Sequence, residues 1–166
     1  MALKAAVIMG SDSDWPVVKK TVAQLKAFGI ITETHVMSAH RTPQEACTFS
    51  ENAEKNGFGV IIAAAGMAAH LAGVLAAHTT LPVIGLPLKS AQLDGLDALL
   101  STVMMPPGVP VATVGIDAAA NAGVLAAQIL ALTDPEVKAA LARRKQEMAA
   151  AVREKDAKIS LEASEI

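Results

Sequence analysis

The chain alternates between short apolar runs and longer stretches in which apolar residues recur at helical spacing. Glycine, proline or polar residues separate each apolar run from the stretch that follows, a pattern typical of strands alternating with helices. The pattern predicts strands at residues 3–9, 30–37, 58–64, 81–86 and 109–114. It predicts helices at residues 15–28, 43–56, 68–78, 93–103, 118–132 and 135 to about 156.

Strands joined through helices predict an α/β fold, with a parallel five-stranded sheet, helices on both of its faces and right-handed crossovers. Helix 118–132 has no charged residue and is expected to be buried. The charged C-terminal helix, 135–156, is expected to lie on a surface or over a neighbouring subunit. Residues 160–166 are expected to fray. We therefore expect a single α/β domain over residues 1–166, with its core at about 3–132.

No Asp, Glu, Lys or Arg occurs between residues 56 and 88, a length that raises the question of a membrane span. Gly66, His70 and Gly73 interrupt this stretch, which is rich in Ala rather than in Leu, Ile or Phe. A buried strand followed by a buried helix explains it better, because parallel sheets are covered on both faces. We predict no membrane contact, and a helix so poor in charge indicates subunit contacts as well as a core.

Composition excludes several classes of protein. The net charge of -2 and the pI of about 6.1 argue against a nucleic-acid partner, which usually meets a basic face. The single cysteine, Cys47, excludes an internal disulfide framework. The N-terminus lacks the basic segment and apolar core of a secretory signal, so we expect a cytoplasmic protein.

Three polar loops follow predicted strands, at residues 11–14, 38–41 and 66–70. Such loops lie at the carboxyl ends of their strands, and in an open parallel sheet they meet where the strand order switches. The sequence therefore predicts a functional site built from these three loops.

The loop after the first strand suits a ribose phosphate. Ser11 and Ser13 offer hydroxyls, and the helix start offers backbone N–H groups and a favourable dipole for a phosphate. The two carboxylates, Asp12 and Asp14, would repel a phosphate unless one of them faces a sugar hydroxyl instead. The alternative is that Ser13 or Asp14 only caps the helix. The loop matches neither a P-loop nor a GxGxxG motif, so neither ATP nor a dinucleotide is indicated.

The second loop ends at a strong helix start. Thr42 and Glu45 have the spacing of a capping box, and Pro43 suits the first helical turn. The helix is therefore expected to begin at Thr42, which leaves His40 and Arg41 in the loop before it.

Arg41 could bind a phosphate bidentately, with the Ser38 hydroxyl beside it. Its alternative is a surface arginine, although a cation is disfavoured at a helix N-terminus. His40 could act as a general acid or base near neutral pH, or could be merely an exposed loop histidine.

His70 has only apolar neighbours in the sequence. A buried imidazole tends to stay neutral, so His70 could be a hydrogen-bonding group, a second acid–base group or a satisfied core histidine. No His, Cys, Asp and Glu residues have metal-ligand spacing, and Cys47 lies on a helix without a matched base. We expect no metal, no cofactor and no covalent nucleophile.

Four motifs, at residues 9–15, 38–43, 68–71 and 105–113, resemble those of the 5-(carboxyamino)imidazole ribonucleotide mutase family of purine biosynthesis. The resemblance is collinear over about residues 5–132. It implies a flavodoxin-like three-layer fold and a homo-octamer. It also implies an enzyme that moves a carboxylate from the exocyclic nitrogen to carbon 4 of aminoimidazole ribonucleotide, without a cofactor.

The resemblance also implies roles for individual residues. His40 would be the acid–base residue, and Asp14 would bind the sugar hydroxyls. The substrate would decarboxylate in a closed site, and carbon 4 would then attack the retained carbon dioxide. The other substrate-binding residues would be Ser11, Ser13, Ser38 and Arg41 around the ribose phosphate, with Ala39, Gly66, His70 and Leu71 lining the rest of the pocket.

The chain departs from the family pattern at a few positions. Met67 stands where members usually have glycine, Ala72 where they have proline and Met104 where they have glutamine, and the segment 114–121 is about two residues shorter. Two other functions are compatible with these residues. One is an aminoimidazole ribonucleotide carboxylase that uses free carbon dioxide, and the other is a non-catalytic ribotide-binding module.

Overall fold

A computed structural model describes residues 3–166 of the chain. The predicted alternation of strands and helices is confirmed. The strands are β1 (Lys4–Met9), β2 (Thr32–Val36), β3 (Phe58–Ala65), β4 (Val83–Pro87) and β5 (Ala112–Thr113). The α-helices are α1 (Trp15–Ala27), α2 (Pro43–Asn52), α3 (Leu71–Ala77), α4 (Leu96–Val103), α5 (Ala119–Leu130) and α6 (Pro135–Ser164).

All five strands are parallel, in the order β2-β1-β3-β4-β5. This is the flavodoxin-like order, so the predicted fold class is confirmed. Met9, at the end of β1, pairs with Val36 of β2 on one side and with Ala64 of β3 on the other. The connections from β1 and β3 leave the sheet in opposite directions, which opens a crevice at the carboxyl ends of these strands.

Both faces of the sheet are apolar because helices cover both. Along β1, Val7 and Met9 pack in a core with α1 and α5, whereas Ala6 and Ile8 pack in a second core with α2 and α3. Helix α4 lies on the second side, so close to β4 that a Cβ atom at Gly85 would lie 2.2 Å from Cγ2 of Thr102. The result is a three-layer arrangement with the sheet in the middle.

The two charge-poor helices differ in how well their bounds were predicted. Helix α5 is buried along one face, as expected, and the buried hydroxyl of Thr21 on α1 donates to the carbonyl of Ala119 at 2.8 Å. Helix α3 begins at Leu71, not at the predicted residue 68, because Met67 and Ala69 have left-handed backbone conformations that no α-helix contains. Within residues 3–166, no helix is long and apolar enough to cross a bilayer.

Helix α6 is longer than predicted. It continues to Ser164, past the expected end near residue 156 and through most of the segment expected to fray. Asp134 caps its start, with Oδ1 accepting from the backbone N–H groups of Glu136 at 2.9 Å and Val137 at 3.1 Å. No Gly or Pro follows within the helix to stop it. Only Val137 and Ala140 of this helix are buried, so its later turns extend away from the core.

Candidate active site

The first loop, residues 10–14, folds into a 3₁₀ turn at the start of α1. Ser11 caps this turn: its hydroxyl accepts from the backbone N–H of Ser13 at 3.3 Å, and its own N–H donates to Oδ2 of Asp14 at 3.0 Å. The Ser13 hydroxyl donates to the Ser11 hydroxyl at 2.9 Å. Ser11 thus provides the capping hydroxyl, Asp14 completes a capping box, and the hydroxyls of Ser11 and Ser13 lie side by side at the helix start.

Burial raises the pKa of the Asp14 carboxyl above its ordinary value. The backbone N–H groups of Ser11 and Gly10 oppose this rise, whereas the negative charge of Asp12 adds to it. A carboxylate in this position gains from any hydrogen-bond donor that a ligand brings, because such a donor replaces lost water.

The second loop, residues 38–42, is closed by two residues that bind each other. The hydroxyl of Thr42 accepts from the backbone N–H of Ser38 at 2.9 Å and donates to the Ser38 carbonyl at 3.3 Å. The predicted capping box of Thr42 and Glu45 is therefore wrong, although α2 does begin directly after Thr42. With φ at -132° and ψ at 54°, Thr42 lacks the usual extended conformation of an N-cap, and its hydroxyl turns back into the loop.

Arg41 joins the first two loops. Its Nη2 donates to the carbonyl of Gly10 at 3.1 Å, and its Nε donates to the Ser38 hydroxyl at 3.4 Å. The remaining guanidinium N–H groups of this exposed side chain can serve a ligand. The cation, disfavoured at a helix N-terminus, is thus held by a backbone carbonyl and a hydroxyl.

His40 and His70 are in direct contact. Nε2 of His40 lies 2.8 Å from Nδ1 of His70, and the two rings stand nearly edge to face, with centroids 4.9 Å apart. His70 is exposed, so its interpretation as a buried core histidine is wrong.

The structure brings all ten predicted site residues around one cavity of about 680 Å³. A cavity of this size suits a small-molecule ligand. Its walls are the carboxyl ends of β1 to β4, and the predicted residues that line it are Ser11, Ser13, Asp14, Ser38, Ala39, His40, Arg41, Gly66, His70 and Leu71.

The third loop, residues 66–70, forms a turn in which the N–H of Ala69 donates to the carbonyl of Gly66 at 3.1 Å. Met67 and Ala69 have positive φ angles, of 55° and 36°. Met67 lines the cavity and is also 61% exposed. The turn places His70 directly before α3.

A fourth loop, residues 88–92, also lines the cavity, and sequence reasoning missed it. Lys89 is held by two aspartates: its N–H donates to Oδ1 of Asp117 at 3.0 Å, and its Nζ lies 3.1 Å from Oδ1 of Asp94. The Ser90 hydroxyl donates to the Asp97 carboxylate at 3.0 Å. The sequence did contain a signal for this loop, because it directly follows a predicted strand, as the other three loops do.

Within residues 3–166, no three His, Cys, Asp or Glu side chains are placed to hold a metal ion. The polar side chains that line the cavity provide two imidazoles, one guanidinium, one ammonium, one carboxylate, one carboxamide and several hydroxyls.

Known proteins resemble this chain over most of its length. The chain is 54% identical over 145 residues to N5-carboxyaminoimidazole ribonucleotide mutase from Pyrococcus abyssi, a match covering 87% of this chain and 83% of that protein. A protein of the same name from Mycobacterium tuberculosis strain H37Rv is 50% identical over 156 residues, covering 94% of this chain and 90% of that protein. The crystal structure of Treponema denticola PurE has a TM-score of 0.83 at 29% identity, covering 93% of this chain and 96% of that one.

The sequence model of one protein family, described as AIR carboxylase, matches residues 4–151. The match includes all four strand ends that line the cavity. This chain therefore belongs to the AIR carboxylase family.

Proposed function

We propose that this chain is a 5-(carboxyamino)imidazole ribonucleotide mutase. It would move the carboxylate of its substrate from the exocyclic nitrogen to carbon 4 of the imidazole ring. One observation carries the proposal: side chains suited to each part of that substrate line one cavity, in a chain half identical to proteins named for this reaction.

The ribose phosphate is assigned to the first two loops. Two neighbouring hydroxyls, those of Ser11 and Ser13, lie at a helix start, and the Arg41 guanidinium is tied to the same loop through Gly10. Hydroxyls, a helix N-terminus and a guanidinium all favour a phosphate. Asp14, directly beside them, is the acceptor for the sugar hydroxyls.

The base end of the substrate is assigned to the second and third loops. Ala39, Gly66 and Leu71 present little polar surface beside the two imidazoles. Carbon dioxide is apolar and uncharged, so a wall of this kind can retain it while excluding water.

The proposed reaction needs one proton to arrive and one to leave. Cleavage of the N–C bond releases carbon dioxide and leaves an electron pair on the nitrogen, which takes up a proton. Carbon 4 then attacks carbon dioxide, forms the new C–C bond and loses its own proton. His40 supplies the first proton and accepts the second, and His70 holds the imidazole of His40 in place through their 2.8 Å contact. The balance requires no redox cofactor and no ATP.

Turnover of the carboxyamino substrate by the purified protein, without added bicarbonate, tests the proposal. The expected product is the 4-carboxy ribotide, in one-to-one yield from the substrate. A matched reaction with aminoimidazole ribonucleotide and bicarbonate runs beside it.

The result separates the alternatives. Product only from the second reaction would make the chain a direct carboxylase. Ribotide binding without product in either reaction would make it a non-catalytic binding module.

We also propose that the active form is a homo-octamer in the cytoplasm, built from one domain per chain. Two exposed apolar surfaces support the assembly: Leu96, Leu100 and Val103 on α4, and Met148, Val152 and Ile159 on α6. Such surfaces are typical of subunit contacts. Light scattering after size exclusion should give the mass of eight chains, and Leu100→Glu should lower it. A monomeric wild-type protein would contradict the assembly.

A further inference from the structure

Met67 has a backbone conformation that its side chain makes unfavourable. Its φ of 55° lies in the left-handed region, where a Cβ atom crowds the following carbonyl. Glycine adopts this conformation without such crowding. A strained backbone beside a ligand cavity is a reason to ask what its side chain does there.

The side chain of Met67 lies at the mouth of the cavity. It lines the cavity and is nevertheless 61% exposed, so it meets both the interior of the cavity and the solvent. Between residues 64 and 69, all residues except Met67 are alanine or glycine. Met67 therefore provides the only long side chain in this part of the wall, three residues before His70.

The chemistry of the side chain fits a cover. Methionine is unbranched, flexible and apolar, and it fills irregular gaps. It can close over substrates of slightly different shape without making a hydrogen bond that would have to break at each turnover.

We propose that Met67 covers the reacting centre and retains carbon dioxide between cleavage of the N–C bond and formation of the C–C bond. The inference rests on the proposed mutase function. During this interval carbon dioxide has no covalent bond to the ribotide. Escape leaves aminoimidazole ribonucleotide, whose exocyclic nitrogen has taken up the proton, and free carbon dioxide. A cover that slows escape relative to attack by carbon 4 sets the yield of the carboxylated product.

Three substitutions separate the side chain from the backbone. Met67→Leu keeps an apolar cover in the same backbone conformation, Met67→Ala keeps the conformation without the cover, and Met67→Gly removes both the cover and the crowding. Each variant and the wild type convert substrate labelled in its carboxylate, without bicarbonate. The ratio of aminoimidazole ribonucleotide to carboxylated product, and the label lost to solution, measure escape.

Escape should be similar in the wild type and Met67→Leu, and several-fold higher in both Met67→Ala and Met67→Gly. Affinity for aminoimidazole ribonucleotide, measured by calorimetry, should change little, because its phosphate contacts lie in the other loops. If Met67→Ala retains carbon dioxide as well as the wild type does, the proposed cover is refuted. This holds even if Met67→Gly loses more carbon dioxide, because the changed backbone would then explain that loss.

Failure of the cover and failure of the proposed function give different results. A wild type that converts the substrate, with no rise in escape for any variant, overturns the cover alone. A wild type that does not convert the substrate overturns the mutase function, and the cover with it.

Discussion

Nε2 of His40 and Nδ1 of His70 lie 2.8 Å apart, so a single proton occupies the space between two side chains that are 30 positions apart in the chain. One nitrogen must donate and the other must accept. The tautomers of the two rings are therefore coupled: a proton on Nε2 of His40 requires a bare Nδ1 on His70. This contact joins the second and third loops through a hydrogen bond between two imidazoles.

Replacing His40 should strongly reduce turnover and leave ribotide binding largely intact. General acid–base groups contribute roughly 10²- to 10⁴-fold to rate, so we expect His40→Asn to lower kcat by about that factor. Steady-state rates and calorimetric binding of aminoimidazole ribonucleotide measure the two effects. The matched control is His78→Asn, because His78 pairs with Glu51 at 3.0 Å outside the cavity. Activity of His40→Asn within about tenfold of the wild type, about 1.4 kcal/mol in barrier, would exclude the role.

Replacing His70 should have a smaller effect that appears in kcat. The contact with His40 orients an imidazole, and a hydrogen bond of this kind is worth about 0.5–1.5 kcal/mol, or roughly two- to tenfold in rate. We expect His70→Ala to lower kcat in this range and to alter the pH profile of kcat, with KM nearly unchanged. An unchanged pH profile together with a raised KM would show instead that His70 binds substrate and does not act through His40.

Removing the Arg41 guanidinium should weaken binding of phosphate-bearing ligands specifically. Hydrogen bonds to charged groups are worth about 1.5–3 kcal/mol, so Arg41→Ala should raise the Kd for the ribotide roughly ten- to hundredfold. The corresponding riboside, which lacks the phosphate, should bind wild type and variant alike. Arg143→Ala, on an exposed turn of α6, controls for the loss of one positive charge. Normal ribotide binding by Arg41→Ala would refute the phosphate assignment.

The raised pKa of Asp14 predicts a pH-dependent gain in stability on substitution. The raised pKa means that the carboxyl of Asp14 is harder to ionise in the folded chain than in the unfolded one. Below the ordinary aspartate pKa the carboxyl is protonated in both states, and its full contribution to the free energy of unfolding is present. That contribution is lost as pH rises through the folded pKa. The amide of Asp14→Asn never ionises and can still accept from Ser11, so the variant should gain stability over the wild type from acid to neutral pH.

Urea unfolding of both proteins across this pH range measures the difference. Bound ribotide should reduce or reverse this difference in stability, because hydrogen bonds from sugar hydroxyls to a carboxylate are stronger than those to an amide oxygen. A variant less stable than the wild type at every pH, without ligand, would show that the carboxylate is needed for the loop itself.

The sequence predicted the strands and most helices because the central strands are buried on both faces. A run such as residues 58–64 is apolar throughout, and the turns around it contain the glycines and polar residues that end it. The convergence of three loops followed from parallel strands alone. The fourth loop follows its strand in the same way and could have been included, although the hydrophobic pattern does not show that β4 lies next to β3.

Other errors concern where a side chain points. Thr42 has the residue type and spacing of a helix cap, but the direction of its hydroxyl depends on a backbone conformation that the sequence does not specify. The exposure of His70 depends on two left-handed residues just before it, Met67 and Ala69. The sequence predicted a loop at residues 66–70, but neither of these residues is glycine, so it did not indicate their left-handed conformations.

The walls of the cavity come from loops that lie between residues 10 and 92, half the length of the chain. Because these loops follow four adjacent strands, a ligand in the cavity stabilises the pairing of the whole sheet and not one local segment. Ligand at a hundredfold excess over its Kd adds about 2.7 kcal/mol to the free energy of unfolding. Ligand binding at this site therefore also stabilises the fold, and chains with bound ligand unfold less often than chains without it.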